Sequence, residues 1–120
     1  MAFVFMKLDV YQCAHEFVRE AVALVDGCGP KHYALADQLR RASLSIPTNI
    51  AEGFGRWHIK EKSQFYRIAL GSINECAALM DYAFRQGLLT AERHNELILS
   101  LDRIAKMTQR LIQAVQRRKP

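Results

Sequence analysis

Apolar residues return every three or four positions along most of this chain, the spacing that gathers side chains on one face of an α-helix. The first such stretch covers residues 8–25, where Val10, Ala14, Phe17, Ala21 and Leu24 share a face. Asp26-Gly27-Cys28-Gly29-Pro30 ends it, because glycine can supply a left-handed cap and proline cannot continue a helix. A second stretch, 33–54, carries the stripe Leu35, Leu39, Ser43, Ile46 and Ile50. Pro47 lies in its middle, lacks the N–H that would bond the Ser43 carbonyl, and predicts a kink; two short helices split at Ile46 are the alternative. Gly53-Phe54-Gly55 closes the segment.

The third stretch, 59–86, places Phe65, Ala69, Ser72, Cys76, Leu79 and Ala83 on one face, with Ile68, Ile73 and Met80 beside them. Gly87 is set to cap it, with Leu88 as the apolar contact that follows. The fourth, 91–117, starts from Thr90 as N-cap and Glu92 in the first turn. Leu97, Leu101, Ile104, Thr108, Leu111 and Val115 alternate steps of four and three, a heptad seam that Ile98, Ala105 and Ile112 widen to a bundle-type face. Four amphipathic helices with short connections predict an all-α, antiparallel up-down-up-down four-helix bundle. Residues 1–120 then form one domain, with 1–7 as a short N-terminal arm, and no internal repeat or low-complexity segment is present.

Composition agrees: half the 120 residues are hydrophobic and a quarter charged, as in globular domains, with only three prolines and six glycines. No apolar run approaches the ~20 residues of a membrane span. The apolar start is too short for a signal-peptide core and lacks a small-residue cleavage site. A cytoplasmic protein without membrane contact is expected. Cys13, Cys28 and Cys76 are odd in number and not at metal-ligand spacing, as for free thiols in a reducing compartment.

Charge adds a second theme. The net charge is +5, and its distribution is uneven. Residues 1–87 hold ten Lys/Arg against nine Asp/Glu, whereas residues 88–120 hold seven against three. Arg103, Lys106 and Arg110 step by three and four along the fourth helix; Arg117 follows one heptad later and Arg93 lies near the same line. Arg118 and Lys119 extend the stripe at the negative end of the helix dipole. The expectation is a basic stripe without matching acids, suited to phosphate; a solvated helix face is the bland alternative. On the second helix Arg41, Ser45, Asn49, Glu52 and Arg56 form a polar line, readable as a solvated face or as a polar subunit contact.

Catalysis finds no support. His15, His32, His58 and His94 include no pair three or four residues apart, so no metal pair is visible. No Gly-rich phosphate loop follows a strand, and no Glu-x-x-His di-iron signature occurs. Neither an enzyme nor a cofactor or metal is expected.

Two segments are specific. One is Leu39-Arg40-Arg41-Ala42-Ser43-Leu44-Ser45-Ile46-Pro47-Thr48-Asn49-Ile50-Ala51-Glu52-Gly53-Phe54-Gly55-Arg56; the other is Phe65-Tyr66-Arg67-Ile68-Ala69-Leu70-Gly71-Ser72-Ile73-Asn74-Glu75. Together they resemble the four-helix bundle family encoded in intervening sequences of bacterial 23S ribosomal RNA genes. The accessory variability protein of diversity-generating retroelements looks like a relative. The resemblance runs from residue 8 to residue 117. It implies a ring-shaped homopentamer and, from the retroelement relative, a basic surface that meets nucleic acid and a reverse transcriptase. Arg40 and Arg41 match the family's paired basic positions, and Asn49, Glu52 and Gly53 its polar run after the proline. It implies no catalytic residue. The sequence departs from the family at His58-Ile59, where a Ser-Pro pair usually precedes Lys-Glu.

Two functions follow as expectations. The leading one is a non-enzymatic, oligomeric RNA-binding protein that holds the phosphate backbone through Arg93, Arg103, Lys106, Arg110, Arg117, Arg118 and Lys119, with Arg40 and Arg41. The alternative is a protein–protein scaffold whose ring docks a partner protein. Val4, Phe5, Leu44, Leu70, Tyr82 and Phe84 lie partly off the core faces and suit an oligomer contact.

Overall fold

A computed structural model describes residues 3–118. A 3₁₀ turn at Val4–Lys7 leads into helix α1, Asp9–Asp26. A second 3₁₀ turn, Pro30–His32, precedes α2, Tyr33–Gly55. Helices α3, Ile59–Arg85, and α4, Ala91–Gln116, complete the chain, and no strand occurs among the described residues. Lys119 lies outside the described residues.

The helix ends follow local chemistry. After α3, Gly87 takes a left-handed φ of 77°. Its N–H bonds the Phe84 carbonyl at 2.9 Å and the Leu88 N–H bonds that of Ala83 at 3.0 Å, which together make a Schellman cap. Thr90 caps α4 as predicted, its hydroxyl accepting from the Arg93 N–H at 3.1 Å. After α1 the left-handed residue is Gly29 (φ 75°), whereas Gly27 stays in the right-handed region. At the departure from the family pattern, α3 begins at Ile59, with His58 as an extended N-cap that offers no side-chain bond.

Helix α2 runs unbroken through Pro47, which is buried; the chain does not split there. Neighbouring side chains bond carbonyls of the turn that proline disturbs. The Thr48 hydroxyl donates to the Leu44 carbonyl (3.0 Å) and the Asn49 amide to that of Ser45 (2.8 Å).

Long-range contacts fix the antiparallel register. Cys13 meets Arg103 and Glu20 meets Arg93, so α4 descends as α1 rises. Ser45 bonds Ser72 at 2.8 Å, while Lys62 reaches back to Gly53 and Phe54, which aligns α3 antiparallel to α2. Asp26 and Arg40 close the α1–α2 turn. Helix α2 packs most extensively on α3, and α1 packs more on α2 than on α4.

The main core joins Phe17 and Ala21 of α1, Leu39, Ile46 and Ile50 of α2, Ala69, Cys76 and Met80 of α3, and Leu97, Leu101 and Ile104 of α4. Each supplies an apolar surface worth ~25 cal/mol per Å² once removed from water. A separate cluster, Tyr66, Ile112 and Val115, closes one end of the bundle. With Cys13 level with Arg103, α1 begins well short of the C-terminal turns of α4. That end is therefore built from α2, α3 and α4. The molecule measures 50 × 27 × 21 Å, long enough that its two ends are chemically separate places.

Candidate nucleic-acid interface

Helix α4 presents its basic residues away from the seam of Leu97, Leu101, Ile104, Thr108, Ile112 and Val115. Arg103, Lys106, Arg110, Arg117 and Arg118 are exposed, while Arg93 is half-buried. The stripe is not free of acids, contrary to the sequence expectation. Lys106 pairs with Asp102 at 2.9 Å, one turn earlier on its own helix. Arg93 pairs with Glu20 of α1 at 2.7 Å and with Glu96 at 3.3 Å. Arg103 donates to the Cys13 sulfur at 3.3 Å. Arg40 and Arg41 lie on α2, paired with Asp26 and with Asp37 (2.8 Å) respectively, and do not converge with the α4 residues. Arg110, Arg117 and Arg118 have no carboxylate partner among the described residues. Along the α4 stripe the cations without a carboxylate are thus Arg103, which meets a thiol, and the three at the C-terminal end. Exposed pairs such as Lys106–Asp102 contribute little to stability, but they weaken the local field that a phosphate meets.

The polar line on α2 has an internal use. The Ser45 hydroxyl sits between the Asn49 amide, 2.9 Å away, and the Ser72 hydroxyl at 2.8 Å, which ties α2 to α3. Arg56 pairs with Glu52 at 2.9 Å, and its guanidinium lies 4.7 Å from the centre of the Phe65 ring.

Beside Arg118, the end of the bundle opens into a cleft of about 500 Å³. Its walls come from the C-terminus of α2 and the following connection (Phe54, Gly55, Arg56, Trp57), from Lys62 and Tyr66 of α3, and from Leu111, Ala114, Val115 and Arg118 at the end of α4. Among the described residues it is lined by cations, aromatics and aliphatics, with no carboxylate. Trp57 is 88% exposed. Lys62 is only 7% exposed, and its ammonium donates to the Phe54 carbonyl at 2.6 Å and the Gly53 carbonyl at 3.3 Å. Those carbonyls belong to the negative end of α2, which helps hold a cation there. Burial nevertheless pushes the Lys62 pKa down from its usual value, and the nearby Arg118 charge lowers it further. Burial raises the Tyr66 pKa, with the Arg118 charge opposing.

The sequence reading placed Phe65 on the buried face of α3, but the chain buries Tyr66 and Lys62 instead, and Ile68 is exposed. The signal for the cleft was the spacing of Lys62 and Tyr66, one turn apart, after the lone tryptophan. It carries no weight until the fold brings the α4 terminus alongside. No group of three or more His, Cys, Asp or Glu residues that could hold a metal occurs among the described residues. No described helix is long and apolar enough to cross a membrane.

The model of the family described as 23S rRNA-intervening sequence protein matches residues 6–110. Among solved structures, the chain is similar to a protein of unknown function from the S23 ribosomal protein family of Bacteroides thetaiotaomicron. The two are 22% identical over 87% of this chain and 95% of that one, with a TM-score of 0.80. At that identity the likeness speaks to the fold. No curated protein sequence matches the chain.

Proposed function

The chain belongs to the 23S rRNA-intervening sequence protein family, and from that premise we propose that it is a non-enzymatic, oligomeric RNA-binding protein that grips the phosphate backbone through the end of α4. The observation that carries this reading is the absence of a carboxylate partner at Arg110, Arg117 and Arg118, among the described residues, while Arg93 and Lys106 of the same helix, and Arg40 and Arg41 of α2, each pair with a carboxylate. Three uncompensated cations on one exposed face favour a polyanion, and one copy is a weak site. A closed homo-oligomer, which we take to be a pentamer, repeats the site around a ring and makes binding multivalent. Exposed Tyr33, Leu44, Ile68, Tyr82 and Leu99 supply apolar surface for such contacts.

Those apolar side chains also favour the second reading, a ring that docks a partner protein. Phosphate contacts carry little base information, so a partner protein would supply targeting.

Anisotropy of a labelled RNA titrated with the protein across a salt series tests the proposal. Affinity should fall steeply with salt. The variant Arg110→Glu/Arg117→Glu/Arg118→Glu should lose binding while keeping its helical spectrum and oligomer size, because none of the three side chains is buried. Light scattering should return about five times the 13.7 kDa chain mass. Unchanged RNA affinity in the triple variant overturns the RNA reading and leaves the scaffold.

A further inference from the structure

We propose that the cleft at the end of the bundle binds one unpaired nucleotide, its base stacked on Trp57 and its phosphate between Lys62 and Arg118. The inference deepens the RNA-binding reading by assigning a ligand class to a site next to the α4 terminus.

Three observations converge on it. Trp57 is the chain's one tryptophan and stands 88% exposed in the connection between α2 and α3, where it completes no core. An exposed indole beside cations is the arrangement on which single-stranded bases stack. The second observation is electrostatic. Lys62 and Arg118 line the same cleft with no carboxylate among its described walls. Two of the three ammonium hydrogens of Lys62 are engaged by the Gly53 and Phe54 carbonyls, which leaves one donor. The two cations disfavour one another, and an anion between them relieves that repulsion. Arg56 is engaged with Glu52 and the Phe65 ring, so it is not counted.

The third observation is shape. The cleft's volume of about 500 Å³ falls within the ~300–1,000 Å³ of small-molecule sites. The Tyr66 ring, 2% exposed, and Leu111, Ala114 and Val115 give it a rigid apolar wall. Inorganic phosphate alone would leave that wall and the indole in water. A paired base has its faces covered by its neighbours in the helix, so the occupant is a free mononucleotide or an unpaired residue of an RNA strand.

Trp57 reports the cleft directly, because protein tryptophan fluorescence comes from it alone. The full chain is titrated at low salt with AMP, adenosine, inorganic phosphate, a single-stranded oligoadenylate, a blunt RNA duplex and a polyglutamate peptide. AMP and the single strand should quench Trp57 saturably. Adenosine and phosphate should need about tenfold more ligand. The duplex should bind without quenching. By calorimetry, Trp57→Ala and Arg118→Gln should each weaken AMP about tenfold or more, the loss expected for one stacked base, while Trp57→Phe retains most of the affinity. Both positions are exposed, so folding is not at stake. Lys62 is left intact because it holds the end of α2.

Quenching by AMP but not by the single strand assigns the cleft to free nucleotides. No saturable quenching by either, or equal quenching by polyglutamate, overturns the assignment. The two proposals separate: RNA that still binds in a salt-dependent manner while Trp57 stays silent and Trp57→Ala has no effect removes the cleft and leaves the backbone reading. Quenching by AMP with no RNA binding at any salt does the reverse.

Discussion

An alanine at position 53 would place its methyl carbon 2.7 and 2.8 Å from Cε1 and Cδ1 of the Tyr66 ring and 3.2 Å from the Lys62 carbonyl oxygen. Gly53 does not adopt a left-handed conformation, so the backbone would accept alanine and space alone decides. Two effects compete in Gly53→Ala. Helix propensity favours alanine by up to ~1 kcal/mol in a helix interior, and by less in the last turn of α2. Against this, forcing a methyl group into a filled site typically costs ~1–3 kcal/mol. Relief would have to come from a buried aromatic ring and a helix backbone, neither of which is the free end of a flexible chain. The clash should therefore win, with a net loss of ~1–2 kcal/mol. Gly71→Ala is the matched control. Gly71 is exposed in the middle of α3, and its new Cβ would meet nothing within 4 Å, so that variant should gain ~0.5–1 kcal/mol. Urea unfolding followed by far-UV circular dichroism, at one protein concentration because assembly shifts apparent stability, measures both. The melting temperature of Gly53→Ala should also fall by about 3–8 °C. A Gly53→Ala midpoint at or above the parent's, with unchanged slope, would refute the steric account of this glycine.

Three further outcomes follow from single residues. Gly87→Ala must hold a left-handed φ of 77° and should lose ~1–2 kcal/mol in the same unfolding assay. Thr90→Ala removes the acceptor for the Arg93 N–H and should lose ~1 kcal/mol; an unchanged midpoint would mean that water replaces the cap at no cost. Burial first, and the Glu75 charge second, push the Cys76 thiol from its ordinary 9.0 up to about 12. The folded state therefore keeps a proton that the unfolded state releases, so this contribution to stability is complete below pH 9 and is lost as pH rises from about 9 to about 12. At pH 8 Cys76 should resist a disulfide reagent in the native protein, while part-exposed Cys13 and Cys28 react.

Much of this molecule was legible in its sequence. The four helices fall within a residue or two of the positions that apolar spacing and breakers predict, because caps and turns act through atoms a few residues apart. Thr90 bonds the N–H three residues on, and Gly87 and Leu88 satisfy carbonyls three and five residues back. The faces of α1 and α4 were equally plain, since Val10, Ala14, Phe17 and Ala21, like Leu97, Leu101 and Ile104, recur at unbroken helical steps.

Three matters were settled only by the tertiary structure. Two adjacent aromatics, Phe65 and Tyr66, compete for the buried face of α3. The chain buries Tyr66 because the missing side chain of Gly53, on another helix, leaves room for its ring. Likewise the charge left on the α4 stripe depends on Glu20, 73 residues from Arg93. Lys106–Asp102 and Arg93–Glu96, each one turn apart on the same helix, could be read locally. The cleft is the furthest from any local signal. It exists because α1 begins well short of the α4 terminus and so leaves the ends of three helices to bring Trp57, Lys62, Tyr66 and Arg118 together. Helical periodicity states which side of a helix is buried, but not how far its neighbour extends along it. That length, set by packing between helices, decides where polar and aromatic side chains meet.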